Sequence, residues 1–346
     1  MKNLLTVGAA LMLTTTAAYA GGIDRSGQSV GAIFEQGTYV ELSYGSVMPS
    51  VSGIFAGALD SGNATPNYAS VGLAFKTDVD EKVSLALIVD QPFGADVNYD
   101  TAGYILTGTS ANVASTAVTV LGSYKFNENL RVHFGPRFLS ANGHYTAVTN
   151  GNPQYSSTYS SGSGTGYVAG AAYQRDDIAL RVALTYSSAI DLELDGTLGD
   201  LTATMPQSVN LEFQSGVAAN TLVFGSIRWA EWSKGHITDT LALELVSWDD
   251  DVVTYSLGVG RKFSDTFSGA VSLGHEKALG GASSNLSPTD GYTSLSVGGT
   301  YTMASGIELT AGVRYILAGD TTTETIGAVF EDNSAVAIGV KVAYNF

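Results

Sequence analysis

No cysteine occurs among the 346 residues. That excludes a disulfide framework, thiol catalysis and thiolate metal sites. Charge is scarce too: Asp, Glu, Lys and Arg make up 14% of the chain, against ~25% in an average soluble protein. Basic residues are the scarcer kind, 16 against 32 acidic ones, and the net charge of −16 argues against a nucleic-acid partner. Proline is limited to 7 positions. No segment approaches the ~20 consecutive apolar residues of a membrane-spanning helix. A soluble chain of this length with so few charges needs large cores and extensive helix, and no long amphipathic helical pattern is present.

What is abundant is glycine, at 41 residues, and tyrosine, at 18. Met1–Ala20 reads as a secretory signal peptide: Lys2 supplies the positive start, Leu4 to Leu13 the apolar stretch, and Ala18-Tyr19-Ala20 a small-x-small cleavage site. The mature chain is then expected to start at Gly21, and the lack of a cysteine there argues against a lipoprotein.

The organising stretch is the last one. In Ala335–Phe346, Val336, Ile338, Val340, Val342, Tyr344 and Phe346 share one parity, while Ala335, Ala337, Gly339, Lys341, Ala343 and Asn345 share the other. Side chains alternate between the faces of a strand, so one face is apolar and the other small or polar. A terminal Phe346 at the aromatic end of the apolar face resembles the closing strand of bacterial outer-membrane β-barrels. Thirteen earlier segments behave alike, at 38–47, 67–77, 83–91, 114–126, 130–141, 166–174, 178–190, 207–216, 222–232, 252–263, 267–277, 292–302 and 307–317. Short turns between them, such as 127–129 and 264–266, alternate with long connections such as 93–113 and 142–165. Short turns on one side and long loops on the other are the pattern of a transmembrane barrel. The expected fold is therefore an all-β, antiparallel transmembrane β-barrel of about 14 strands over 38–346, with a short N-terminal plug segment at 21–37.

Alternation turns Lys76, Asp90, Arg131, His133, Arg137, Arg181, Glu212 and Arg228 inward, and the same rule gives Arg314 to the lumen. Arg137, Arg228 and Arg314 each lie about seven residues beyond the short turn that starts their strand. Three guanidiniums at similar depth suit a carboxylate headgroup, held by charge-assisted bonds. They equally suit a structural ladder with wall acids such as Glu212 and Glu308. Leu139, Phe224 and Trp232 also point inward, which a water-filled pore does not need and a conduit for an amphiphile does. The acidic loop residues Asp249, Asp250, Asp251, Asp290, Asp320, Glu331 and Asp332 are read as solvated, with Ca²⁺ binding as the alternative. The four histidines show no metal-ligand spacing, and no G-x-S-x-G elbow marks a nucleophile. No enzyme activity, metal or cofactor is expected.

Several stretches stand out together: Ser26-Gly27-Gln28-Ser29, Gln91-Pro92-Phe93-Gly94 followed by Tyr99, Pro206-Gln207-Ser208-Val209, Arg228-Trp229-Ala230-Glu231-Trp232-Ser233, Ser256-Leu257-Gly258-Val259-Gly260 and Pro288-Thr289-Asp290. They resemble the FadL/TodX-type outer-membrane transporters of long-chain fatty acids and other hydrophobic compounds. The resemblance spans nearly the whole mature chain. It implies a monomeric barrel with an N-terminal plug, capture of substrate by apolar outer loops, a lumenal site, and sideways exit through a wall gap at a kinked third strand. Pro92, Phe93 and Gly94 map to that kink, and proline and glycine weaken ladder pairing on physical grounds. The family's longer plug with an Asn-Pro-Ala motif is not found here.

The expected function is passive transport of hydrophobic or amphiphilic compounds across the cell outer membrane of a Gram-negative bacterium, with long-chain fatty acids as the default substrate. Arg137, Arg228 and Arg314 would hold the headgroup, and Phe224, Trp232 and Leu139 the chain. Expected partners are outer-membrane lipids and lipopolysaccharide, and the barrel-assembly machinery acting through the strand that ends at Phe346. The alternatives are a general diffusion porin for small polar solutes and a structural or adhesive surface barrel.

Overall fold

The computed structural model describes residues 22–280 and 282–346, so the expected signal peptide lies outside the described residues. Fourteen strands form the wall: β1 (Tyr39–Ser50), β2 (Tyr68–Asp78), β3 (Val83–Asp90), β4 (Ser110–Lys125), β5 (Leu130–Thr149), β6 (Asn152–Arg175), β7 (Leu180–Ser187), β8 (Ser208–Ala218), β9 (Thr221–Ala230), β10 (Val252–Lys262), β11 (Phe267–Glu276), β12 (Tyr292–Thr302), β13 (Glu308–Ala318) and β14 (Ser334–Asn345). Each pairs antiparallel with its neighbours in sequence. The sheet closes on itself because β14 pairs with β1 from Asn345↔Tyr39 to Ser334↔Ser50. Phe346 extends the seam by donating its N–H to the Thr38 carbonyl, 2.8 Å away.

The period of two sorts the side chains as alternation requires. Leu42, Phe75, Leu85, Val271, Leu273, Val313 and Tyr315 are exposed on the outside, forming the apolar band that faces lipid. Lys76, Arg131, His133, Arg137, Arg181, Glu212 and Arg228 are buried inside. Residues 22–36 run within the barrel and include one short 3₁₀ turn, Gly31–Phe34. Val30, Ile33 and Phe34 pack there against Ala86, Leu121, Val168, Ala172 and Ala183 of the wall. Small inward residues leave room for the plug.

The long connections are more ordered than expected. Instead of a loop over 142–165, β5 and β6 continue outward and meet at Asn150-Gly151, both with positive φ (51° and 73°). That is the two-residue turn an Asn-Gly pair favours between strands. The strand expected over 178–190 ends at Ser187, and Ile190–Leu194 instead joins Leu201–Met205, His236–Asp239 and Leu243–Ser247 in a four-stranded sheet. A second small sheet combines Gly53–Phe55, Leu59–Asp60, Ala282–Ser283, Thr321–Thr323 and Val329–Phe330. Each sheet covers an apolar cluster at the long-loop end. One is built on Leu192, Leu201, Met205, Ile237 and Trp232, the other on Val51, Tyr99, Tyr104 and Phe330.

Candidate functional site

The third strand breaks where Pro92 and Gly94 stand. Its outer arm, Gly94–Asn98, resumes pairing with β4 at Gly94↔Ala114, whereas β3 leaves it at Asp90↔Ala117. Gln91, Pro92 and Phe93 therefore stand opposite Thr116 and Ser115, an extra residue in the manner of a β-bulge. Ser115 replaces the missing ladder with its side chain: its hydroxyl accepts from the Phe93 N–H at 2.9 Å and lies 2.6 Å from the Phe93 carbonyl oxygen, to which it donates.

On its other side the kink has lost β2. The β2–β3 ladder stops at Leu73↔Val89, although β2 remains paired with β1 as far as Tyr68↔Val47. The plug takes the vacant place. Asp24 bridges Phe93 antiparallel, the Gly94 N–H donates to the Ile23 carbonyl at 2.8 Å, and the Arg25 N–H donates to the Pro92 carbonyl at 2.7 Å. Residues 23–26 thus act as a strap along the broken strand. A cavity of about 120 Å³ opens beside it, with outward-facing Tyr44, Val71 and Leu73 at its lip and Ser29, Asp90 and Glu212 further in.

Inward arginines and plug meet directly. Arg228 Nη2 donates to Asp24 Oδ1 at 3.0 Å, and Trp232 Nε1 donates to Asp24 Oδ2 at 3.0 Å. Arg137 donates to Thr119 Oγ1 (2.9 Å), Ser187 Oγ (3.2 Å) and the Gln28 side-chain carbonyl. Arg314 Nε donates to Ser296 Oγ at 2.9 Å. Ser26 and Ser29 donate to Asp90 and Glu212 at 2.6 and 2.7 Å, and Asn210 and Arg131 donate to the plug carbonyls of Gly27 and Ile33. Arg137 and Arg228 therefore grip the plug, Arg228 through a charged partner.

The apolar residues divide into two groups. Leu139 and Trp232 lie in one buried cluster with Phe93 and Ile23; Trp232 stands edge-on to Phe93 at 6.0 Å and lies 4.4 Å from the Trp248 ring. Trp232 does not end a strand, as expected from alternation, but opens the 3₁₀ turn Trp232–Lys234 after β9 stops at Ala230. Phe224 is elsewhere, near the short-turn end, packed with Leu222 and Ala179. Parity assigns both rings to one face but carries no information on depth.

Above the Trp232 cluster lies a second cavity, about 60 Å³, lined chiefly by apolar side chains including Val113, Tyr145, Leu194, Met205 and Ile237. Asp239 pins its outer sheet to the β5–β6 hairpin. Tyr155 and Tyr159 donate to its Oδ2 at 2.6 and 2.7 Å, and the Leu241 and Ala242 N–H groups donate to its Oδ1. Burial raises the Asp239 carboxyl, but these donors outweigh it and hold the group below its ordinary value. Other loop acids do similar work: Asp251 accepts from Trp229 and Ser233, and Asp290 from the Leu279 and Gly280 N–H groups. Among the described residues no group of three or more potential ligands is placed to hold a metal ion.

Solved structures share this architecture. A Pseudomonas aeruginosa FadL homologue matches with a TM-score of 0.77 at 13% identity, covering 98% of this chain and 96% of its own. The Pseudomonas putida toluene transporter TodX gives 0.69 at 12% identity, and the Ralstonia pickettii toluene transporter TbuX 0.66 at 14%, each covering 91% of both chains. The fold is thus the one that the sequence resemblance implied. No family model and no curated protein matches the chain by sequence.

Proposed function

We propose that the protein is a passive outer-membrane transporter of hydrophobic and amphiphilic compounds, capturing them in the apolar outer cavity and releasing them sideways at the third strand. The observation that carries this reading is the wall gap: the β2–β3 ladder ends at Leu73↔Val89, and a cavity opens there to the lipid-facing side chains Val71 and Leu73. An unpaired sheet edge at hydrocarbon depth costs several kcal/mol per unmet backbone group, so a wall that keeps one is expected to use it. The outer cavity, built from Leu194, Met205 and Ile237, suits an apolar chain. Trp232, Phe93 and Leu139 lie next along the path, and the Asp24 strap crosses it.

Long-chain fatty acids are the substrate to test first. Arg137 and Arg228 remain candidates for the headgroup together with Arg314, but a carboxylate at Arg228 must displace Asp24. Phe224 is assigned a later contact at the short-turn end. The proposed working form is a monomer without enzymatic activity, inserted by the barrel-assembly machinery through β14.

Purified protein in liposomes with a lipopolysaccharide outer leaflet, which slows unassisted crossing, tests the reading. Labelled long-chain fatty acid should be taken up faster than by protein-free vesicles, and a small sugar should not. Sugar uptake at a comparable rate identifies an open pore instead.

A further inference from the structure

The wall gap is crossed at two points. At the lower one the backbone N–H of Val71 donates to Gln91 Oε1 at 3.0 Å, a side chain standing in for the absent ladder partner. At the upper one the Arg25 guanidinium lies 4.1 Å over the Tyr68 ring, while its Nη2 is 2.5 Å from Asp96 Oδ2. Gly94 makes room for Arg25, because a Cβ there would stand 2.6 Å from Arg25 Nε. Gln91 and Arg25 both line the 120 Å³ cavity, and Arg25 also lines a separate cavity of about 20 Å³ with Tyr68 and Asp96. Arg25 therefore stands between two cavities.

Val71 and Tyr68 are three residues apart, about 10 Å of strand. Carbon atoms in contact stand ~3.5–4 Å apart, so this frame admits one extended methylene chain and is narrow for a cage of rings. Val71 itself is half exposed to lipid. Its N–H is satisfied by a side chain that rotates about single bonds, which makes the lower edge movable where a ladder would be fixed.

We propose that Gln91 and Arg25 are the sill and lintel of the exit, and that their separation selects slender, unbranched hydrophobic molecules over bulky polycyclic ones. This rests on the sideways-exit reading above. Gln91 acts as a specificity-determining residue because its side chain occupies the opening, and Arg25 because it fixes the upper limit.

The test compares two alcohols with the same hydroxyl and different cross-sections, 1-dodecanol and 1-adamantanol, for uptake into lipopolysaccharide-faced proteoliposomes. Gln91→Ala should raise the rate ratio of the cage alcohol to the chain alcohol by about threefold or more, within the range that one side chain commonly contributes to discrimination. An unchanged ratio in folded protein overturns the proposal. Should loss of the Val71 partner prevent folding, Gln91→Asn keeps the amide one methylene further back and must shift the ratio the same way. Failure of the exit reading shows up separately. The chain has no cysteine, so Val71→Cys and Gln91→Cys can be bridged by a short bis-maleimide. Continued uptake of both alcohols through the bridged protein would reject the exit, whatever the ratio does in Gln91→Ala.

Discussion

Two seams of the barrel, β1–β14 and β2–β3, are built differently. The closing seam joins β1 to β14 in unbroken register along both strands. The β2–β3 seam has six pairs and then stops, and above them Gln91, Arg25 and the strap 23–26 replace backbone partners. Both seams face hydrocarbon, where an unmet N–H is expensive. A seam satisfied by ladder bonds opens only by unfolding. One satisfied by side chains and a short peptide opens by moving them. The difference marks the β2–β3 seam as the one held by movable parts.

The largest effect is expected at Asp24, the charged anchor of the strap. Asp24→Ala leaves buried Arg228 without its partner, and breaking a buried pair costs about 3–5 kcal/mol. Amide hydrogen exchange over residues 22–30 should rise sharply while β1 and β14 stay protected; unchanged exchange would mean that the strap is held otherwise. A smaller effect is expected at Gly94. Gly94→Val drives a side chain into Arg25, and overpacking of this kind costs about 1–3 kcal/mol. The heat-induced mobility shift of the folded barrel should move to lower temperature. The smallest effect concerns Asp239, remote from both seams. Its carboxyl is held below the ordinary value, so its contribution is complete above the ordinary aspartate range and is lost as pH falls through the depressed value. Protease cleavage of the β5–β6 hairpin near Tyr155 should increase on acidification past that range and become pH-independent in Asp239→Asn. Neither change should alter the β1–β14 seam.

Much of the wall was legible because a period of two repeats fourteen times between turn residues, and because charges such as Arg131 and Arg181 fall on one parity. The Asn150-Gly151 turn was legible in principle, and missing it shortened β5 and β6. The strap was not. Residues 22–36 carry no alternation, and nothing local pairs Asp24 with an arginine 204 positions away. The same limit applies to depth: Phe224 and Trp232 share a parity, yet one packs at the short-turn end and the other under the outer sheet. Pairing of the third strand breaks between Asp90 and Gly94, and for Gly94 the structural reason is the close approach of Arg25 as well as broken pairing.

The most direct measurement is fatty-acid uptake by two bridged variants in the same vesicles. One carries Val71→Cys and Gln91→Cys across the gap, and the other Leu42→Cys and Val342→Cys, an outward-facing pair across the closing seam. Bridging the gap should stop uptake, and bridging the closing seam should leave it unchanged. Equal uptake by both would contradict sideways exit between β2 and the third strand.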